Sequence, residues 1–254
     1  MLDQIRHRRK VIVLIANPTT AAARSPGRKR GVANKHLVPL AKRFMITQIT
    51  HYLHAQTLFG IAKRASFRRH NDAPIIAVIF SATALEAFIN DSIALADMVP
   101  TAEKQDIVVA YATVMKELED RREALLIKYH IGLIIWSGSA WSEQLPPYQD
   151  FRLLLSLRNS LLHMRSDRWE VHLTRGSREP KRTSEQYPRF INAFRQRKLI
   201  ESPSKSKSWL EIVNTPTIGK WACRTASEIT KLFVERIPAG YYKTRLEEQV
   251  LHYA

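Results

Sequence analysis

The sequence predicts an all-α fold, an antiparallel bundle of four to five helices, and three observations support this prediction. Between residues 45 and 238, apolar residues recur at intervals of three and four over long segments, which is the spacing of one helical face. Proline, glycine and serine cluster between these segments, where turns are expected. Only one short segment alternates in the manner of a strand. Helices that have no sheet to cover bury their apolar faces against one another, and the result is a bundle.

The first two helices are predicted from their apolar faces. The first runs from Met45 to about Ala65. Its apolar side is formed by Ile46, Ile49, Leu53 and Thr57. The second extends from about Pro74 to Asp97, because proline is tolerated in the first turn of a helix. Its apolar side is formed by Ile75, Ile79, Ala82, Ile89 and Ile93.

A long third helix and a fourth helix follow. The third begins near Thr101, a residue type that caps helices, and its apolar spacing continues for about seven turns to Tyr129. Serine, glycine and proline at 137–147 then break the pattern. The fourth helix covers about Tyr148 to Ser166.

The remaining chain is irregular before it becomes helical again. Residues 167–214 are basic, with a short strand expected at 169–174 and a short helix at 187–198. The last long helix begins after Thr215, an N-cap residue followed by proline, and ends near Pro238.

The net charge of +17 is unevenly distributed. Residues 1–44 contain 11 basic residues and one acidic residue, whereas residues 45–164 contain 11 and 12. Residues 165–207 contain 12 and 5. Basic segments attract polyanions, nucleic acid first, although a solvated surface or a disordered tail has the same composition. We predict a basic, disordered extension over residues 1–44 and a helical domain over 45–254, with a basic irregular segment at 165–214.

Composition argues against several classes of protein. The single cysteine, Cys223, cannot form an intramolecular disulfide and fits a reducing compartment. No tight group of Cys, His and acidic residues is present, so neither a metal nor another cofactor is expected. No stretch reaches the roughly 20 apolar residues of a membrane span. We expect a cytoplasmic protein without a membrane partner.

Two segments resemble the HEPN superfamily. Residues 157–163 read Leu-Arg-Asn-Ser-Leu-Leu-His, in which Arg158 is followed by a polar residue and then, after four intervening residues, by His163. Residues 84–90, Ala-Leu-Glu-Ala-Phe-Ile-Asn, resemble the acidic motif in an earlier helix of many such proteins. The resemblance covers roughly residues 70–240 and implies a HEPN-like bundle. The bare spacing recurs elsewhere in the chain, so the setting of the motif has to support the assignment.

The setting is a helix with an unusually wide apolar arc. One apolar stripe contains Leu153, Leu154, Leu157, Leu161 and Met164, and a second contains Phe151, Leu155 and Leu162. Together they exceed what one core contact requires, so we expect a second packing partner, either another helix or a second copy of the chain. Arg158 falls between the stripes, and His163 lies about 140° away on the polar side. A two-fold dimer would bring both pairs to one cleft.

Glu86 is the expected partner of Arg158. It falls within the apolar stripe of the second helix, where a lone carboxylate is unfavourable. We predict that Glu86 receives and orients Arg158, with Asn90 completing the network. A buried ion pair that only fixes the helix register is the alternative.

The resemblance implies a metal-independent endoribonuclease that acts through the RNA 2′-OH and leaves a 2′,3′-cyclic phosphate. Arg158 and His163 would be catalytic, and Asn159, Glu86 and Asn90 would support them. It also permits a role as a toxin or defence effector with a cognate antitoxin protein. The expected RNA-binding residues are Arg165, Arg168, Arg175, Arg178, Lys181 and Arg182.

Two other functions remain open at this point. One is a non-catalytic HEPN-like module that binds RNA or nucleotide. The other is a structural helical dimer whose charges keep it in solution.

Overall fold

The computed structural model of the protein describes residues 13–15, 47–49, 54–68, 72–164, 169–172, 181–184, 187–201 and 207–250. The chain divides into two compact units, residues 1–52 and residues 53–254. In the first unit, strand β1 (Val13–Ile15) pairs antiparallel with strand β2 (Thr47–Ile49), and Val13 lies opposite Ile49.

The described part of the second unit is a helical bundle, which confirms the predicted all-α fold. Its first helices are α1 (His54–Phe67), α2 (Ala73–Met98), a short 3₁₀ helix (Thr101–Glu103), α3 (Asp106–Asp120), α4 (Leu125–Ser137) and α5 (Pro146–Leu162). Two antiparallel strands follow, β3 (Trp169–His172) and β4 (Lys181–Ser184). The later helices are α6 (Arg189–Gln196), α7 (Trp209–Val213), α8 (Pro216–Glu235) and α9 (Tyr241–Val250).

Helix α2 is the centre of the bundle and packs against α1, α3, α5 and α8. A window of this helix has a mean hydropathy of 1.7, enough by length and composition for a membrane span, but 56% of that window is buried inside the protein. Packing against several helices accounts for this apolar composition. The approach of α8 is close, because a Cβ on Gly219 would lie 3.2 Å from the Cα of Pro74.

An aromatic cluster fills the core. Phe88 and Tyr129 each meet Phe233 edge to face, with ring centroids 5.8 and 5.4 Å apart. The buried hydroxyl of Tyr129 donates to the carbonyl of Leu85 at 3.0 Å, which satisfies a polar group that would otherwise destabilise the core. Burial also raises the pKa of Tyr111, whose hydroxyl bonds to Ser92 at 2.6 Å. The helices are therefore held together in the core by aromatic packing and by a few hydrogen bonds from buried hydroxyl groups.

The prediction of a first helix from Met45 is wrong at its start, because α1 begins at His54 and Thr47–Ile49 is a strand. Thr and Ile are β-branched and fit a pleated surface, and a spacing of three over so short a segment does not distinguish the two structures. The start of α1 is stabilised by a residue of α2, because the backbone N–H of Ala55 donates a hydrogen bond to the Asp91 carboxylate at 2.9 Å.

The prediction of one third helix to Tyr129 is also wrong, because the chain turns between α3 and α4. Arg122 adopts a left-handed conformation with φ of 55° in this turn. Leu118 and Leu125 are seven residues apart, about two helical turns, so the apolar spacing continues across the break. Helix α4 then ends at Gly138, whose φ is 67°.

Other elements agree with the sequence. The short strand and short helix expected within residues 169–174 and 187–198 are β3 and α6. Helix α8 follows Thr215, whose side chain accepts a hydrogen bond from the N–H of Ile218 at 3.4 Å. Helices α7 and α9 were not predicted. The proposed extension, residues 1–44, lies outside the described residues except for β1.

Candidate functional site

Helix α5 carries the residues of the motif and ends within it. The helix finishes at Leu162, and His163 is its C-cap with φ of −119° and ψ of 47°. The backbone N–H of His163 still donates to the carbonyl of Asn159 at 2.9 Å. The predicted end at Ser166 is therefore too late, and His163 lies at the point where the chain leaves the helix.

The two apolar stripes of α5 differ in burial. The first is buried at Leu153, Leu154, Leu157 and Leu161. In the second, Phe151 is buried, but Leu162 is 48% exposed. Met164, which was expected in the first stripe, is 58% exposed because the helix has already ended. One copy of the chain thus leaves apolar surface uncovered beside His163.

Arg158 reaches α2, as the sequence predicted. Its Nη2 lies 3.3 Å from Oε2 of Glu86, and its Nη1 donates to Oδ1 of Asn159 at 3.2 Å. The side chain is 28% exposed, while its Nε is buried and has no hydrogen-bond partner within the described part of the chain. Nη1 and Nη2, which carry two N–H groups each, therefore keep donors that Asn159 and Glu86 do not use, whereas Nε is shielded from solvent.

Glu86 and Asn90 are less buried than predicted. The Glu86 side chain is 48% exposed, and Asn90 is also exposed. Between described residues, no hydrogen bond joins Asn90 to Arg158 or Glu86. The expectation of a buried carboxylate failed because α2 is apolar around most of its circumference, so its sequence does not reveal which narrow strip faces solvent.

A cleft between α5 and α6 was missed by the sequence analysis. It is a shallow cleft, widely open to solvent, with a volume of about 380 Å³. Its lining contains Glu143, Gln149, Arg152, Leu153, Ser156, Arg189, Phe190, Ala193 and Arg197. The lining holds three guanidinium groups and one carboxylate, and although Arg197 is paired with Asp150, neither Arg152 nor Arg189 forms an ion pair with another described residue, so the cleft favours an anion. Within the sequence of the fourth helix, the feature that could have indicated this cleft is Arg152, a basic residue on the exposed side of α5.

On the helical wheel of α5, His163 falls on the same face as Ser156, which lines the cleft, but His163 itself is not part of the lining. It is seven residues after Ser156, about two turns and about 10 Å further along the helix axis. Arg158 is about 200° from Ser156 around the same helix and is bonded to α2 instead. The structure brings Arg158, Asn159 and Glu86 together, and it leaves His163, which is exposed, on a different side of α5.

Six residues were expected to bind RNA, and two of them lie in a described strand. Arg165, Arg168, Arg175 and Arg178 lie outside the described residues. Lys181 and Arg182 lie in β4, of which the backbone alone is described, and Arg182 is opposite Val171 of β3.

In the described residues no group of three or more His, Cys, Asp or Glu side chains is arranged to hold a metal ion. Comparison of the whole chain with protein-family models, with curated proteins and with solved structures gave no match. The resemblance to HEPN proteins therefore rests on the two sequence segments alone.

Proposed function

We propose that the protein is a metal-independent endoribonuclease of HEPN type, and that Arg158 and His163 carry out the cleavage. The observation that supports this proposal most directly is the state of Arg158. Its guanidinium is oriented by Glu86 and Asn159, yet the side chain is part exposed and each terminal nitrogen keeps an N–H that neither of these residues uses. Such a group can bind a phosphate without first breaking a complete set of bonds.

The reaction needs a base, an acid and a cation. The 2′-oxygen of RNA attacks the adjacent phosphorus, the bond from phosphorus to the 5′-oxygen breaks, and a 2′,3′-cyclic phosphate and a 5′-OH result. His163 takes the 2′-OH proton as general base or protonates the leaving oxygen as general acid. Arg158 stabilises the charge that develops on the phosphate oxygens. DNA has no 2′-OH and is not cut.

A second copy of the chain would complete the site. Arg158 and His163 project from different sides of α5, so one copy does not direct both at one phosphate. Leu162 and Met164, which flank His163, are exposed and apolar. A two-fold dimer through this end of α5 would cover them and bring His163 of one copy toward Arg158 of the other.

This dimer has a direct test. The paired substitutions Leu162→Glu and Met164→Glu should give a folded monomer without ribonuclease activity, because they place charges in the interface. Light scattering, circular dichroism and a cleavage assay measure the three properties. A monomeric wild-type protein that still cuts RNA would contradict the dimer.

The cleft between α5 and α6 would hold the RNA backbone next to His163. Arg152 and Arg189 are exposed at its rim, and neither forms an ion pair with another described residue. Their charges would bind phosphates in a manner that weakens with salt.

The decisive experiment is cleavage of mixed RNA by purified protein in the presence of EDTA, followed by analysis of the cut ends. We expect 2′,3′-cyclic phosphate and 5′-OH ends, and no cleavage of DNA. A requirement for added metal, or 3′-OH ends, would exclude the mechanism.

Two other functions make different predictions. A non-catalytic module would bind RNA and leave it intact. A structural dimer would show no salt-dependent RNA binding. A toxin or defence role with an antitoxin partner would be an extension of the ribonuclease proposal, tested by growth arrest on expression.

A further inference from the structure

A second cleft lies between α1 and α8, and the ribonuclease mechanism does not use it. It is a shallow cleft, widely open to solvent, with a volume of about 630 Å³. Its lining consists of Phe59, Lys63, Ser66, Phe67, Leu199, Thr217, Lys220, Trp221, Cys223, Arg224, Ser227, Glu228 and Lys231. Four of these residues are basic and one is acidic, so the cleft is strongly cationic.

The charges form a row along α8. Lys220, Arg224 and Lys231 lie four and seven residues apart, which keeps them on one side of the helix over about 16 Å. The acid in this row, Glu228, lies 3.8 Å from Arg224, and both side chains are more than half exposed. An exposed pair at this distance contributes little and leaves the arginine available to another anion.

An aromatic ring stands at the edge of the same row. Phe67 is 68% exposed, which is high for so large an apolar side chain. The Nζ of Lys220 lies 5.9 Å from the centroid of its ring. An exposed ring beside a row of cations is the combination that binds a base by stacking and the adjoining phosphate by charge.

The segments that adjoin the lining in sequence carry little negative charge. Residues 69–71, beyond the end of α1, and residues 202–206 contain no acidic residue, and Glu201 is the one acid between Leu199 and residue 207. An anion from another molecule is therefore the better match for the cleft.

We propose that this cleft binds single-stranded nucleic acid, with successive phosphates along Lys220, Arg224 and Lys231 and a base stacked on Phe67. A strand fits better than a single nucleotide because the row of cations is much longer than one phosphate group. The site is independent of the proposed cleavage chemistry. It would add affinity for single strands at a surface separate from the cleft beside α6.

The test uses a fluorescent single-stranded DNA oligonucleotide of twelve residues, which lacks the 2′-OH and is not a substrate. Binding is followed by anisotropy at several salt concentrations. Lys220→Ala with Arg224→Ala should weaken binding about tenfold and lower the salt slope by about 1.4, since each phosphate contact contributes about 0.7 for a single strand. Phe67→Ala should weaken it about fivefold or more by loss of stacking.

The controls separate this site from charge in general and from the ribonuclease proposal. Lys116→Ala with Arg121→Ala removes the same charge from exposed positions in α3 and directly after it, and should have little effect. His163→Ala should leave DNA binding unchanged even where RNA cleavage is lost. Equal losses in the α3 and α8 variants would overturn the proposal. So would equal competition by polyglutamate or by a free mononucleotide, or an unchanged Kd for Phe67→Ala.

Discussion

Helix α5 is joined to neighbouring helices by two arginines that are used very differently. Near its start, Asp150 accepts a hydrogen bond from Nε of Arg197 at 2.8 Å, and the other nitrogens of this arginine lie 3.5 Å from oxygens of Ala193 and Gln149. Near its end, Arg158 lies 3.3 Å from Glu86, and its Nε is buried without a partner in the described residues.

The partner carboxylates differ in the same direction. The Asp150 side chain is 18% exposed, whereas that of Glu86 is 48% exposed. An ion pair with a short hydrogen bond and a sheltered carboxylate fixes the position of a helix, whereas a longer pair with an exposed carboxylate contributes little to stability. The difference indicates that the Arg197–Asp150 pair serves stability and that the Arg158–Glu86 pair is open to binding. The predictions for His163, for the two arginines and for Glu86 test that division.

The largest effect is expected from His163→Ala at the end of the helix. The side chain is exposed, so truncation should leave the fold intact while cleavage falls by about 10²-fold or more through loss of a general acid–base group. RNA binding should persist. Cleavage rates, Kd and thermal melting measure these properties, and His54→Ala, also at an exposed histidine, is the control. Normal cleavage by folded His163→Ala would end the catalytic assignment.

The two arginines themselves should give opposite results. Arg158→Ala should lower cleavage by about 10²-fold, because it removes the charge that meets the phosphate, and should change stability by under about 1 kcal/mol. Arg197→Ala should lower the free energy of unfolding by about 1–2 kcal/mol, because three acceptors lose their donor. Denaturant titration and cleavage kinetics suffice for both. If Arg158→Ala were the more destabilising change, the division of α5 would be reversed.

The sequence was informative about pairing and poor about exposure. The contact between Glu86 and Arg158 was predicted because two opposite charges occurred on apolar helices. The burial of that pair was predicted wrongly. Because α2 is apolar on most sides, its sequence does not show which side of the helix faces solvent. The end of α5 at Leu162 was missed because Met164 continues the apolar spacing after the helix has stopped. The turn at Arg122 was missed for the same reason, as periodicity survives across it.

The two clefts could not be predicted from the sequence, and the reason is a different one. Arg152 and Arg189 are 37 residues apart in sequence, and only the packing of α6 on α5 brings them to one lining. Likewise, Phe67 meets Lys220 through the crossing of α1 and α8. Neither of these two contacts leaves a local signal in the sequence, because side chains on the exposed surface of a helix need not follow the helical spacing that buried apolar residues follow.

An intermediate effect is expected at the cleft between α5 and α6. Arg152→Ala with Arg189→Ala should raise KM about three- to tenfold with little change in kcat, because these groups would bind the RNA backbone and take no part in the chemistry. The salt dependence of binding should also become less steep. Steady-state kinetics at two salt concentrations provide the measurement, with Lys116→Ala and Arg121→Ala as the charge control. A fall in kcat with unchanged KM would instead assign the cleft a role in the reaction.

The smallest effect on stability is expected from Glu86→Ala, and it tests the comparison most closely. If Glu86 were a buried counterion, its removal would strand Arg158 and cost about 3–5 kcal/mol. The carboxylate is 48% exposed and 3.3 Å from the guanidinium, so the expected loss is under about 1 kcal/mol. Asp150→Ala, at the sheltered pair, should cost more than Glu86→Ala in the same denaturant titration. Because Glu86 also orients Arg158, Glu86→Ala should still lower cleavage severalfold, and Glu86→Gln, which keeps an acceptor for Nη2, should recover part of it. A large drop in unfolding free energy for Glu86→Ala would mean that the pair at the end of α5 serves the same structural purpose as the pair at its start.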